Sequence, residues 1–348
     1  MYRKTSLFLI LLTALSLLMT AFVAVPAPVS QNSDTLQTIK DRGKLICGSR
    51  NDLPGFGFLN EDGSLSGFEI DFCRALAAAI FGDSSKVEIR HMTSKERFAL
   101  LQSGEIDVIV RTTTLTLQRD AELGANFAPP TFYDGQGMIV RADSGITTLE
   151  ELEGATVCVG AGTTTELNLA DVFAGRGIGY SPLVFENIDE SIAALEEGRC
   201  DAFTTDKSGL VARRTTMAVP SDWVILEETM SKEPLAPAVR HGDDTWFDIV
   251  KWVVYATFAA EEYGITSANV DDFLASDNPS IRKLLGLEGE MGTKLSLSDD
   301  WAYNVIKQVG NYGEIYNRNL GPDTLTYIPR GLNNLYTEGG LIYAMPIR

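Results

Sequence analysis

Three stretches of the 348-residue chain carry groups able to clamp a small charged molecule. From Arg111 to Asp120, threonine hydroxyls and a fixed cation, Arg119, follow directly on the apolar run Ile106 to Val110. A guanidinium suits a carboxylate because its planar fork donates two parallel hydrogen bonds. Gly160-Ala-Gly162-Thr163-Thr164-Thr-Glu166 runs from a strand-like segment through glycines into Thr-x-x-Glu, the capping pattern of a helix start. Glycines let a ligand approach the backbone, and free amides at a helix N-terminus attract anions. Thr205-Asp206 ends a third apolar run and offers a carboxylate to a cation. Each segment also has an ordinary reading: a solvated loop arginine, a plain helix cap, a turn aspartate.

A weak internal repeat places these segments relative to one another. Leu101-Gln-Ser-Gly104-Glu-Ile-Asp107 matches Leu195-Glu-Glu-Gly198-Arg-Cys-Asp201, each a helix end, a glycine stop and a strand. Gly43-Lys-Leu-Ile-Cys47 matches Gly154-Ala-Thr-Val-Cys158 in the same way. Strand-like runs alternate with helical patterns, including a helix from Phe68 to Phe81 with apolar residues at Phe68, Phe72, Leu76 and Ile80. The fold class expected is α/β: two similar lobes, each a mostly parallel sheet flanked by helices. Ligands of open α/β sheets bind beyond the carboxyl ends of the strands. Val110 and Thr204 end equivalent strands, so Thr112 and Asp206 face each other across a cleft. Arg119 for a carboxylate and Asp206 for an ammonium give the polarity of a zwitterionic amino acid.

Composition narrows the class. The formal charge of −18 argues against a nucleic-acid partner, since phosphates demand a basic surface. Arg3 and Lys4 precede an apolar run from Leu7 to Val25, the layout of a signal peptide over residues 1–27; an uncleaved membrane anchor is the alternative. An even set of cysteines in an exported chain implies disulfides, with three pairings possible. The repeat puts Cys47 and Cys73 in one lobe and Cys158 and Cys200 in the other, which favours those two pairs. The two histidines, His91 and His241, sit in no metal-ligand pattern, so no metal or cofactor is expected.

The segments resemble those of substrate-binding proteins of polar amino-acid ATP-binding-cassette transporters. The resemblance rests on Gly67-Phe-Glu-Ile-Asp71, the Leu101 to Asp107 run, Thr112 to Arg119, Ala161 to Glu166 and Thr205-Asp206. The four cysteines, Val239 to Asp244, Asn311-Tyr-Gly-Glu314 and the ending Gly340 to Arg348 are similar to the general L-amino-acid-binding subgroup. It implies a type II periplasmic-binding-protein fold, with lobe 1 at residues 34–141 plus 236–348, including a C-terminal extension, and lobe 2 at 142–235. Crossings are expected near Arg141 to Ser144 and Ser231 to Leu235. By similarity, Arg119 with the amides of Thr114 and Thr164 binds the α-carboxylate, Thr112 and Asp206 take the α-ammonium, and Thr163 stands beside them. The implied protein is a periplasmic monomer that delivers an L-amino acid to a membrane permease complex. Where narrower relatives carry aromatic residues, at the position of Ser94 and near Leu53, this chain lacks rings. That implies a roomy pocket of broad specificity, with Arg50 favouring acidic or amide side chains. Two rivals remain: a dehydratase-like enzyme using Glu69 or Asp71, and a sensory amino-acid-binding protein.

Overall fold

A computed structural model describes residues 34–348; the leader expected over residues 1–27 lies outside them. Two five-stranded sheets organise the chain. The first holds, in spatial order, Val87–His91 (β5), Leu45–Ser49 (β1), Val108–Ile109 (β6), Ala238–Arg240 (β15) and Ala125–Phe127 (β7). The second holds Ser181–Phe185 (β11), Thr156–Gly160 (β10), Ala202–Asp206 (β12), Gln136–Arg141 (β9) and Trp223–Ile225 (β13). In each sheet one strand opposes the rest: β15 runs antiparallel to β6 and β7, and β9 to β12 and β13. Those two strands are the ones by which the chain enters a lobe from the other, so their reversed direction follows from the path. A small sheet of Asp52–Leu53 (β2), Gly57–Leu59 (β3) and Leu65–Ser66 (β4) borders the first lobe.

The sequence repeat has a physical cause. Asp107 Oδ2 accepts the Ile46 amide at 2.7 Å, and Asp201 Oδ2 accepts the Thr156 amide at 2.7 Å. Each aspartate thus stitches the start of its own strand to the neighbouring strand, β6 to β1 and β12 to β10. Glycine stops the helix ahead of each: Gly104 and Gly198 have φ of 78° and 73°, a left-handed backbone that glycine takes without steric cost.

The passages between sheets form a two-stranded antiparallel ribbon, Phe132–Asp134 (β8) paired with Glu233–Leu235 (β14). The first passage therefore precedes Gln136–Arg141, and that run belongs to the second lobe rather than, as expected, to lobe 1. That run lacks any marker of which sheet it joins; its pairing with Ala202–Asp206 decides the matter. Disulfides join Cys47 to Cys73 and Cys158 to Cys200, one within each lobe as the repeat favours.

The helix Phe68–Phe81 is buried on more than its expected stripe: Glu69, Asp71, Cys73 and Ala77 to Ala79 are also covered. The C-terminal segment explains this. Helices Trp301–Gln308 and Tyr312–Leu320 pack on Phe68–Phe81 and on Asp244–Glu262, joining the first lobe's core through Trp301, Tyr312 and Tyr316. Tyr312 and Tyr316 meet Phe68 edge-on at 5.9 and 6.0 Å between ring centroids. Among the described residues no helix is long and apolar enough to cross a membrane.

Candidate functional site

The carboxyl ends of the central strands of both sheets open into one pocket between the lobes. From the first lobe it is lined by Arg50, Leu53, Ser94, Arg97, Arg111, Thr112 and Thr114, and from the second by Thr163, Thr164, Thr165, Ile188, Thr205, Asp206, Gly209 and Arg213. The structure thus gathers Arg50, Ser94, Thr112, Thr114, Thr163, Thr164 and Asp206 at one place. Arg119 stands apart from them, in an adjoining depression shared with Phe98, Gln118, Leu167 and Asn168. Its Nη1 donates to the Thr114 carbonyl at 2.8 Å, and its guanidinium lies 5.5 Å from the Phe98 ring. The two cavities meet at Ser94, Thr163 and Thr164.

Thr163 caps the helix Thr164–Arg176, its Oγ1 accepting the Glu166 amide at 3.0 Å. The reciprocal half of the expected capping box reaches one residue further back: Glu166 accepts the Gly162 amide at 2.9 Å. Gly162, at φ 69°, brings its backbone against Lys95 of the opposite lobe, where an added Cβ would lie 3.1 Å from the Lys95 Cα. Asp206 ends β12 and precedes the helix Lys207–Arg214, yet its carboxylate does not cap that helix. Thr112 has a φ of 29°, strained for a β-branched residue. Its amide donates to Glu69 Oε1, and its Oγ1 accepts Arg50 Nη1 at 3.2 Å.

Charge is unevenly distributed over this lining. Asp52 receives Arg50 through two bonds, at 2.8 and 3.1 Å, and Arg213 through a third. Burial alone would raise the Asp52 carboxyl, but the two guanidinium groups hold it well below the usual range. Arg213 also pairs with Asp189. Arg111 donates to the Met92 carbonyl and to Ser94 Oγ, both at 2.9 Å; burial and the nearby Arg50 bring it down to about 10. Arg97 is 2% exposed, its Nε has no partner, and no carboxylate pairs with it among the described residues. Burial, then Arg119 and Arg111, depress it well below the ordinary arginine value. On the other side, burial raises the Asp206 carboxyl well above its ordinary value, followed by the like charges of Asp134 and Glu233.

Asp134 takes the Gly135 and Ser208 amides at 2.8 and 3.2 Å, while burial, with Glu233 nearby, pushes it up to about 6. A carboxyl raised on folding stabilises the folded chain below its ordinary value near 4 and withdraws that support as pH climbs through about 6. Asp134→Asn is accordingly expected to raise the melting temperature at pH 7 and change it little at pH 4. A lower melting temperature at pH 7 in a calorimetric scan would contradict this.

Arg97, Asp52, Arg213 and Glu233 were not singled out from the sequence. Arg97 lies three residues after Ser94 at a helix start, a weak signal that a solvated arginine also gives. Glu69 and Asp71 serve the architecture. Glu69 holds the Thr112 amide, and Asp71 accepts Arg318 at 2.8 Å and Asn319 at 2.7 Å from the C-terminal helix.

Residues 45–269 match the family model described as bacterial extracellular solute-binding proteins, family 3. The chain is 52% identical to the general L-amino acid-binding periplasmic protein AapJ of Rhizobium johnstonii, over 94% of this chain and 96% of that one. It is 48% identical to the glutamate/glutamine/aspartate/asparagine-binding protein BztA of Rhodobacter capsulatus, over 96% and 98% respectively. A periplasmic binding protein of an ABC transporter from Brucella ovis, solved with glutathione bound, superposes with a TM-score of 0.88 at 50% identity, over 91% of this chain and all of that one. The two lobes, the paired passages and the pocket between them are therefore those of a periplasmic-binding-protein fold, and the chain belongs to the bacterial extracellular solute-binding proteins of family 3.

Proposed function

We propose that this chain binds L-amino acids in the periplasm by closing its lobes around them and hands them to an ABC permease, without catalysis. The observation that carries the reading is the pairing of unmet charges from opposite lobes: Arg97, a buried guanidinium without a carboxylate, and Asp206, a carboxylate that caps nothing. An amino acid with an acidic or amide side chain supplies both complements, its ammonium to Asp206 and its side chain to Arg97. Asp206 and the hydroxyl of strained Thr112 take the α-ammonium. The α-carboxylate takes the amides of Thr114 and Thr164, with Arg119 behind Thr114 and Thr163 at the helix start. Arg97, Arg50 and Ser94 then face the ligand's side chain. Among the described residues no aromatic ring lines the pocket, which supports breadth, while the surplus of guanidinium groups favours acidic and amide side chains. The names of AapJ and BztA agree with each half of that statement.

Titrating the purified protein calorimetrically with the common L-amino acids and D-controls tests the reading. Micromolar or tighter binding of L-glutamate and L-glutamine, without D-isomers, is expected; no binding to any of them refutes it. In the Arg97→Gln protein, L-glutamate affinity should fall by on the order of 30-fold or more, as loss of one partner of a buried charge pair costs about 2–5 kcal/mol. L-Alanine affinity should change far less. A second reading, favoured by the depression that continues the pocket past Ser94 and Thr164, is a longer γ-glutamyl ligand such as the glutathione of the Brucella ovis relative. Glutathione in the same titration decides between them.

A further inference from the structure

Glu233 is a buried acid that the proposed ligand contacts do not use. It is 1% exposed and lies on β14, directly opposite Asp134 on β8, so that two carboxylates face one another in the ribbon joining the lobes. Like charges opposite each other weaken a ribbon. A buried carboxylate also needs several donors to offset its lost hydration.

The donors come from three bodies. Oε2 accepts Thr114 Oγ1 of the first lobe at 2.5 Å and Thr164 Oγ1 of the second at 2.8 Å. Oε1 accepts Asn168 Nδ2, one helical turn beyond Thr164, at 2.7 Å, and Ser231 Oγ of the crossing itself at 2.5 Å. The two threonine hydroxyls stand 3.3 Å apart, so the carboxylate holds the lobes edge to edge at the mouth of the pocket. Whichever lobe Glu233 follows as the cleft opens, it loses the donors of the other.

We propose that Glu233 is the closure latch of this protein, a positioning residue whose carboxylate binds Thr114, Thr164 and Asn168 together only when the lobes meet. The latch does not depend on what the ligand is. Its effect on affinity does rest on the amino-acid reading, because Thr114 and Thr164 are the residues whose amides that reading gives to the ligand. Glu233→Gln keeps the shape but turns an amide group against donors that need an acceptor. Hydrogen bonds formed on closure act on residence time more than on encounter.

The test measures L-glutamate association and dissociation by stopped-flow fluorescence in wild type, Glu233→Gln, Thr164→Val and the double variant, with ligand-free melting temperatures alongside. Dissociation about tenfold faster in Glu233→Gln, with association within about twofold and a double variant no worse than the single, is the expected result. Unchanged dissociation, or effects that simply add, overturns the latch. Should Glu233→Gln fail to fold, Asn168→Leu removes a second-lobe donor and is read by the same criteria. If L-glutamate does not bind the wild type, the amino-acid reading fails on its own. The latch is then judged from distances between spin labels on the two lobes of the ligand-free protein. A closer, narrower distribution in wild type than in Glu233→Gln supports it, and identical distributions sink it.

Discussion

An Asp206→Ala protein is expected to bind L-glutamate and L-glutamine at least 100-fold more weakly than wild type, because the ammonium would be desolvated opposite no anion. The same substitution should leave the ligand-free protein as stable or more stable. Asp206 is raised by burial and by Asp134 and Glu233, so ionising it costs free energy that the folded chain recovers when the charge is removed. Opposite signs for affinity and stability are characteristic of a site kept strained for a ligand. Asp206→Asn preserves the shape and isolates the charge. Calorimetric titration at pH 7 with a parallel melting scan reads both quantities; affinity within about threefold of wild type in either variant would remove Asp206 from the site.

A chain ended after Leu287 should not fold cooperatively. The residues beyond it supply Trp301, Tyr312 and Tyr316, each at most 2% exposed, to the core that also contains Phe68, Phe72 and Phe258. Three aromatic side chains of roughly 150–250 Å² each represent on the order of 10 kcal/mol at about 25 cal/mol per Å². A typical domain has a net stability of about 5–15 kcal/mol. The truncated protein should therefore be insoluble or lack near-ultraviolet circular dichroism. A soluble truncated form that melts in one transition within a few degrees of the full chain would show the segment to be an appendage.

The repeated Leu-x-x-Gly-x-x-Asp made both the lobes and the facing positions of Thr112 and Asp206 legible, because the glycine, the strand and the stitching aspartate are local requirements. The placement of Gln136–Arg141 was not, since a six-residue run carries no mark of the sheet it will join until Ala202–Asp206 is beside it. The burial of Phe68–Phe81 beyond its apolar stripe was equally hidden, as the covering helices lie more than 200 residues further along. Arg97 escaped for a related reason. Its isolation from solvent depends on Gly162 of the other lobe, whose carbonyl it approaches at 3.5 Å. Side chains whose environment is made by two distant segments are the ones that sequence order conceals.

The C-terminal segment does more than fill the first core. Asn333 brackets Tyr133 of the ribbon, accepting its amide at 2.7 Å and donating to its carbonyl at 3.2 Å, and the Tyr312 hydroxyl donates to the Thr131 carbonyl at 3.0 Å. The second sheet, by contrast, is built from one uninterrupted stretch, Gln136 to Ile225. As the chain emerges N-terminus first into the compartment where it folds, that stretch can assemble as soon as it is out. The sheet begun at Leu45 must wait for Ala238–Arg240, and its pivot for Asn333, so the first-made half of the molecule is the last to be finished.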